Sequence, residues 1–180
     1  MLNLTPFVRN ISAPPIDLTA LLDRHDDILS IEYHLQGDLD TLIIPPQVSQ
    51  PTRKSLLWEH TCFEFFLGVP GMPEYWEFNL SPAGDWNIYH LDNYRQGLRE
   101  ELAFTSLPFE LSLKPSSLVL KLQVNLEHII KSTQALEVSI TSVIEPHTGE
   151  ISYWAVTHTG KTADFHLRDS FSSSLVQRPK

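Results

Sequence analysis

Along most of this chain apolar and polar residues alternate with a period of two, in short runs separated by turn-forming residues. That pattern suits extended strands with one face on a core and the other toward water or a ligand. In Ile28 to Gln36, Leu29, Ile31, Tyr33 and Leu35 share a face opposite Ser30, Glu32, His34 and Gln36. In Leu118 to Leu126 the apolar set is Leu118, Leu120, Leu122, Val124 and Leu126, and the alternation returns in Leu136 to Ile144 and Ile151 to His158. Turn signals lie between them: Gln36-Gly37-Asp38, Lys114-Pro115-Ser116-Ser117 and Pro146-His147-Thr148-Gly149. Helical signals are confined to Asp17 to Leu22, read as a turn or two, and Leu126 to Lys131, a short helix with Asn125 as its N-cap. Neither is long enough to cross between parallel strands. The expected fold is therefore all-β, an antiparallel sandwich or jelly roll with one or two short helices, and residues 1–180 read as a single domain with Ile44 to Lys54 as a long loop.

Composition narrows the partners. With 42% hydrophobic and 19% charged residues the chain can bury a substantial core. A formal charge of −9 repels phosphate backbones, and no run of Lys or Arg forms a basic stripe, so nucleic acid and anionic membranes are not expected partners. The longest apolar runs, such as Phe63 to Leu67, are too short to span a bilayer, and Met1 to Asp17 shows no cationic start followed by an apolar block. The lone Cys62 makes no internal disulfide, so a cytoplasmic location is the expectation. Oligomeric state stays open.

The chemistry concentrates between Leu57 and Arg95. Cys62 to Leu67 and Tyr75 to Leu80 flank the turn-rich Gly68-Val69-Pro70-Gly71-Met72-Pro73 and form a candidate hairpin. Matching apolar faces sets Phe63, Phe65 and Leu67 opposite Phe78, Trp76 and Glu74. The other face then carries His60, Cys62, Glu64 and Phe66 beside Ser81, Asn79, Glu77 and Tyr75, with Glu64 directly across from Glu77. Like charges at that distance need a partner: Arg95, Arg53 or Lys121, a shared proton, a metal, or ligand hydroxyls. Sugars present C–H faces to aromatic rings and hydroxyls to carboxylates, amides and Arg. Trp58, Trp86 and Trp154 are placed at strand ends or loops as stacking candidates, whereas Trp76 lies on the apolar face. No His pair has helix-type metal-ligand spacing, and no phosphate loop or nucleophile elbow is present, so no metal is expected.

Leu57-Trp58-Glu59-His60-Thr61-Cys62-Phe63-Glu64-Phe65-Phe66-Leu67, followed by the run from Tyr75 to Trp86, resembles the DOMON-like domains related to family 9 carbohydrate-binding modules. Val124-Asn125-Leu126, Tyr153-Trp154, Asp164-Phe165-His166 and Phe171 extend the resemblance over residues 25–176. It implies a jelly-roll sandwich that binds sugars in some members and haem in others, without chemistry in either. His60-Thr61 stands where the family often has adjacent acidic residues.

The resulting expectation is a non-catalytic module for a small ligand, a carbohydrate or glycan-like metabolite, held by Trp58, His60, Glu64, Glu77, Asn79, Trp86, Arg95, Trp154 and His158. The alternatives are a haem-binding domain drawing an axial ligand from His60, His90, His158 or Met72, an enzyme using Glu64 and Glu77 as an acid and base pair on a sugar, and a protein-interaction module.

Overall fold

The computed structural model describes residues 1–7 and 13–175. Twelve strands carry that chain: β1 (Leu2–Pro6), β2 (Ile16–His25), β3 (Ile28–Gly37), β4 (Cys62–Gly68), β5 (Tyr75–Leu80), β6 (Trp86–Leu91), β7 (Arg99–Glu100), β8 (Phe109–Lys114), β9 (Ser117–Asn125), β10 (Leu136–Ile144), β11 (Ser152–Ala155) and β12 (Ser173–Leu175). The hydrogen-bonded order is β7-β6-β5-β4-β10-β11-β1-β2-β3-β9-β8, with β12 added on β10. The path folds over at β1, whose Leu2 to Leu4 pair with β2 while Thr5 and Pro6 pair with β11. Two antiparallel sheets result, β1-β2-β3-β9-β8 and β7-β6-β5-β4-β10-β11, packed as a β-sandwich. Among the described residues no helix is long and apolar enough to cross a membrane.

Period-two alternation decides what fills the space between the sheets. Leu29, Ile31, Tyr33 and Leu35 of β3 meet Leu118, Leu120, Leu122 and Val124 of β9 on one side, and Phe63, Phe65, Leu67, Trp76, Phe78, Val138 and Ile140 on the other. Tyr33 crosses this core and donates its hydroxyl proton to the carbonyl of Glu64, tying the sheets together. Its ring packs on Phe63 at 5.1 Å.

Three local expectations change. Asp17 to Leu22 belongs to strand β2, because Ile16, Leu18 and Ala20 alternate inward and the whole strand pairs with β3 from Ile16↔Gly37 to His25↔Ile28. Leu126 to Lys131 makes a single turn: Asn125 Oδ1 accepts from the Glu127 amide at 2.9 Å, as an N-cap would, but the chain leaves after the Ile130 amide reaches the Leu126 carbonyl.

The β4–β5 register is displaced by two residues. Phe63 stands opposite Leu80, Glu64 opposite Asn79, Phe65 opposite Phe78, Phe66 opposite Glu77 and Leu67 opposite Trp76. A two-residue shift leaves every side chain on its expected face. It is preferred because the alternative would seat Glu74 on the apolar face against Leu67. The observed register expels Glu74 beyond the strand end, where its carboxylate lies 3.3 Å from His90, and stacks Phe65 on Phe78 at 4.4 Å.

Phe65 therefore sits where both sheets converge. Replacing it with Ala should cost about 3 to 5 kcal/mol in urea unfolding, whereas Leu113→Ala on the exposed edge strand should stay within about 0.5 kcal/mol. Equal costs at the two positions would reverse the assignment of faces.

Candidate functional site

Strands β4, β5 and β10 are buried on both faces. The face turned away from the sandwich core carries a second apolar cluster of Cys62, Phe66, Tyr75, Tyr89, Leu91, Val143 and Ala155, covered by Phe165 and Phe171 from the segment after β11. That segment is clamped by Arg168, whose Nη2 donates to the Val69 carbonyl at 2.7 Å and whose Nε donates to Glu137 at 2.8 Å. The guanidinium fits because residue 68 is glycine; a Cβ there would occupy the same space.

Between sheet and segment lies a cavity of about 340 Å³. Its floor is Glu64, Phe66, Glu77 and Val143; Asp164, Phe165 and His166 form a wall; Trp58, Arg95, Leu98 and Tyr153 stand around it toward solvent. Trp58 is set by a short 3-10 turn, Leu57–Glu59, entered through Leu56 in the left-handed region at φ 62°. It packs edge-on against Tyr89 at 5.7 Å. Arg95, also left-handed at φ 51°, donates to Asp164 Oδ1 at 3.0 Å, and Tyr94 donates to Asp164 Oδ2 at 2.6 Å, so two neighbours latch the loop after β6 to the covering segment.

The floor is polar and dry. Glu64 is 2% and Glu77 5% exposed. Asn79 Nδ2 donates to Glu77 Oε1 at 2.8 Å, while Glu64 Oε1 and Asn79 Oδ1 are buried without a hydrogen-bond partner among the described residues. Burial, and after it the charge of Glu77, pushes the Glu64 carboxyl well above the usual carboxylate range. Burial also raises Glu77 to about 7, against the Asn79 amide and the Arg95 charge. His166 is lowered to about 4, by burial first and then by Arg95. The Tyr75 hydroxyl accepts from the Arg95 amide at 3.2 Å and contacts His166 Nδ1 at 2.9 Å. With the tyrosine donating there, the ring's own hydrogen lies on Nε2, which faces Glu77 Oε2 at 3.9 Å.

Four of the residues singled out from sequence, Trp58, Glu64, Glu77 and Arg95, line this cavity, and Asn79 braces it from the same sheet face. Others are elsewhere. Trp86 and Trp154 are core side chains, each 4% exposed: Trp86 lies under the Arg53 guanidinium at 4.4 Å, and Trp154 donates to Ser152 Oγ at 2.9 Å. Both sit on the inward phase of their strands, Trp86 at the strand end expected for it and Trp154 inside β11, so neither ring is free to stack on a ligand. His60 is exposed and paired with Glu145 at 2.9 Å, and His158 Nε2 lies 2.8 Å from the Thr5 carbonyl oxygen. His90 stacks on Trp76 at 4.6 Å and Met72 is exposed, so none of the four groups considered as axial haem ligands faces the cavity. Of the cations considered for the carboxylate pair, Arg53 binds Asn87 and backbone carbonyls, and Lys121 pairs with Glu32 on the other sheet. Among the described residues no group of three or more His, Cys, Asp or Glu is arranged to hold a metal ion.

Among the cavity residues not foreseen as site residues are Tyr153, Asp164, His166 and Leu98. Tyr153 had a signal: it is the outward phase of the strand whose inward phase is Trp154, the two differing by one position. The others come from loops, where no periodicity reports direction.

No protein-family model matches the chain, and no curated protein matches it significantly. Solved structures do. A provisionally named carbohydrate-binding protein from Bacteroides uniformis superposes with a TM-score of 0.69 at 15% identity, over 98% of this chain and 87% of that one. A family 9 carbohydrate-binding module from Caldicellulosiruptor kristjanssonii, in complexes with glucose and with cellotriose, superposes with a TM-score of 0.58 in both at 10% identity. Those alignments cover 94% and 93% of this chain and 80% and 79% of the module. The fold is one they share.

Stability should report the buried pair. Glu77, raised from 4.5 to about 7, binds a proton on folding between those values, so its contribution is full below about pH 4.5 and lost as pH rises through 7. His166, lowered from 6.5 to about 4, has the opposite sign: its contribution is present above 6.5 and lost as pH falls through 4. The two oppose each other between pH 4.5 and 6.5. In Glu77→Gln the melting temperature should climb more steeply across that window and exceed the wild-type value at about pH 8. Parallel curves would put the Glu77 carboxyl in water.

Proposed function

We propose that this chain is a non-catalytic carbohydrate-binding module that seats a sugar ring in the cavity between β4–β5 and the Ala163–Phe171 segment. The observation that carries the reading is the pair of dry carboxyls, Glu64 and Glu77, at the bottom of a cavity with half-exposed aromatic rings toward solvent. Trp58 and Tyr153, the latter 39% exposed, offer faces for the C–H side of a pyranose. Floor carboxyls and the Arg95 guanidinium offer hydrogen bonds to its hydroxyls. The volume lies at the small end of ligand pockets, about 300 to 1,000 Å³, which suits one or two rings. Likeness of fold to a module solved in complex with glucose and with cellotriose supports the same ligand class here.

Binding is favoured over turnover because both carboxyls are displaced upward. An acid and base pair needs environments that push the two apart. Membership of the wider DOMON-like group is part of the proposal, supported by the order of Trp58, Glu64 and the Tyr75 to Trp86 run. The haem-binding form of that group finds no support in the cavity, whose one imidazole, His166, is engaged with Tyr75.

Isothermal titration with glucose and cellotriose tests the reading. Binding should be measurable below about 10 mM, and Trp58→Ala or Tyr153→Ala should weaken it at least about tenfold without lowering the melting temperature by more than a few degrees. Absence of heat with either sugar, or full affinity in both variants, would sink it.

A further inference from the structure

The floor of the cavity holds more acceptors than donors. Among the described residues Glu64 Oε1, in the floor, and Asn79 Oδ1, beside it on the same sheet face, have no partner, and Glu77 Oε2 faces His166 Nε2 at 3.9 Å, beyond hydrogen-bond reach. The nearby donors are few: Asn79 Nδ2 is given to Glu77 Oε1, the Tyr75 hydroxyl to His166 Nδ1 and one Arg95 N–H to Asp164, while the His166 Nε2 hydrogen faces Glu77 Oε2 from beyond bonding distance. Charge is equally one-sided, since the lining contains three carboxyl groups, Glu64, Glu77 and Asp164, and one guanidinium, Arg95, already committed to Asp164.

A neutral sugar hydroxyl uses such a floor less fully than a cation does. It donates one hydrogen and brings no charge, so the floor must keep its protons to avoid burying uncompensated carboxylates. A protonated amine has three hydrogens and no lone pair, and its bonds to carboxylates are charge-assisted. The aromatic residues around the cavity, Trp58, Tyr153 and Phe165, add ring faces that attract a cation held within about 6 Å. At long range, the chain's net charge of −9 favours a cationic ligand over an anionic one.

Building on the carbohydrate reading above, we infer that the sugar seated here carries a protonated amine directed at the Glu64–Glu77 floor: an aminohexose, or a chain ending in one, in preference to its neutral counterpart. The raised carboxyls fit this assignment, because an empty site relieves its charge by holding protons and an ammonium group supplies the same relief from the ligand.

The test compares glucosamine, glucose and N-acetylglucosamine by isothermal titration on the full chain at neutral pH. Glucosamine should bind at least about tenfold more tightly than either of the others. In Glu64→Gln and in Glu77→Gln, each verified as folded by its melting curve, glucosamine should lose more affinity than glucose, so that the preference falls to about twofold or less. Arg95→Ala removes the lining's guanidinium and leaves the floor intact, so it should widen the preference. Glucose binding as tightly as glucosamine, a preference that survives in both Gln variants, or a preference narrowed by Arg95→Ala would each overturn the inference while leaving the carbohydrate reading in place. If none of the three sugars binds at about 10 mM, the carbohydrate reading falls and takes this one with it.

Discussion

Burial of β4 and β5 on both faces is the constraint from which the rest of the molecule follows. In most antiparallel sheets one face is wet and polar side chains have an easy exit. Here Phe63, Phe65 and Leu67 fill the space between the sheets, while Cys62, Glu64 and Phe66 point into a second apolar cluster roofed by Phe165 and Phe171. A carboxyl on such a strand has no bulk water to return to. Its protonation, its hydrogen bonds and its usefulness to a ligand are therefore one problem, and the cavity is where that problem is left open.

The same arrangement sets stability against readiness to bind. Desolvating Glu64 and Glu77 without a dedicated cation lowers the stability of the empty fold. A module optimised only for folding would place apolar side chains there, as it does on the opposite face of the same strands. Asn79 holds one oxygen of Glu77, and among the described residues no group holds Glu64 Oε1, so the floor keeps hydrogen-bonding capacity that the fold itself does not use.

Much of this was legible in the sequence, and the boundary of legibility is physical. Period two reports which face a side chain occupies, so the core positions from Leu29 to Leu35, Phe63, Phe65, Trp76, Phe78, Leu120, Leu122, Val138 and Ile140 could be read directly. It reports nothing about sliding by two, which is why Glu64 appeared to face Glu77 and in fact faces Asn79. Asp17 to Leu22 misled because an acidic residue before an apolar run also begins helices; its long pairing with β3 overrode that local signal. Trp86 and Trp154 misled for a different reason. Tryptophan carries no mark distinguishing a core ring from a binding ring, and only strand phase separates Trp154 from Tyr153. Four of the expected site residues did meet at one cavity, because hairpin proximity in sequence brings β4 and β5 together; His166 and Asp164 arrive from a distant loop that no short-range pattern announces.

That distant loop is attached rather than woven in. Strands β4, β5 and β10 complete their ladders without it, and side chains fasten it at both ends: Arg168 reaches the Val69 carbonyl and Glu137 over the space left by Gly68, and Asp164 and His166 are held by Tyr94, Arg95 and Tyr75. One wall of the cavity can therefore diverge between relatives without renegotiating the sheet beneath. So long as a glycine at the end of β4 and an arginine in the arriving segment persist together, the intervening residues are free to be rewritten for a different ligand, and two chains could keep the same scaffold while sharing almost no recognition chemistry.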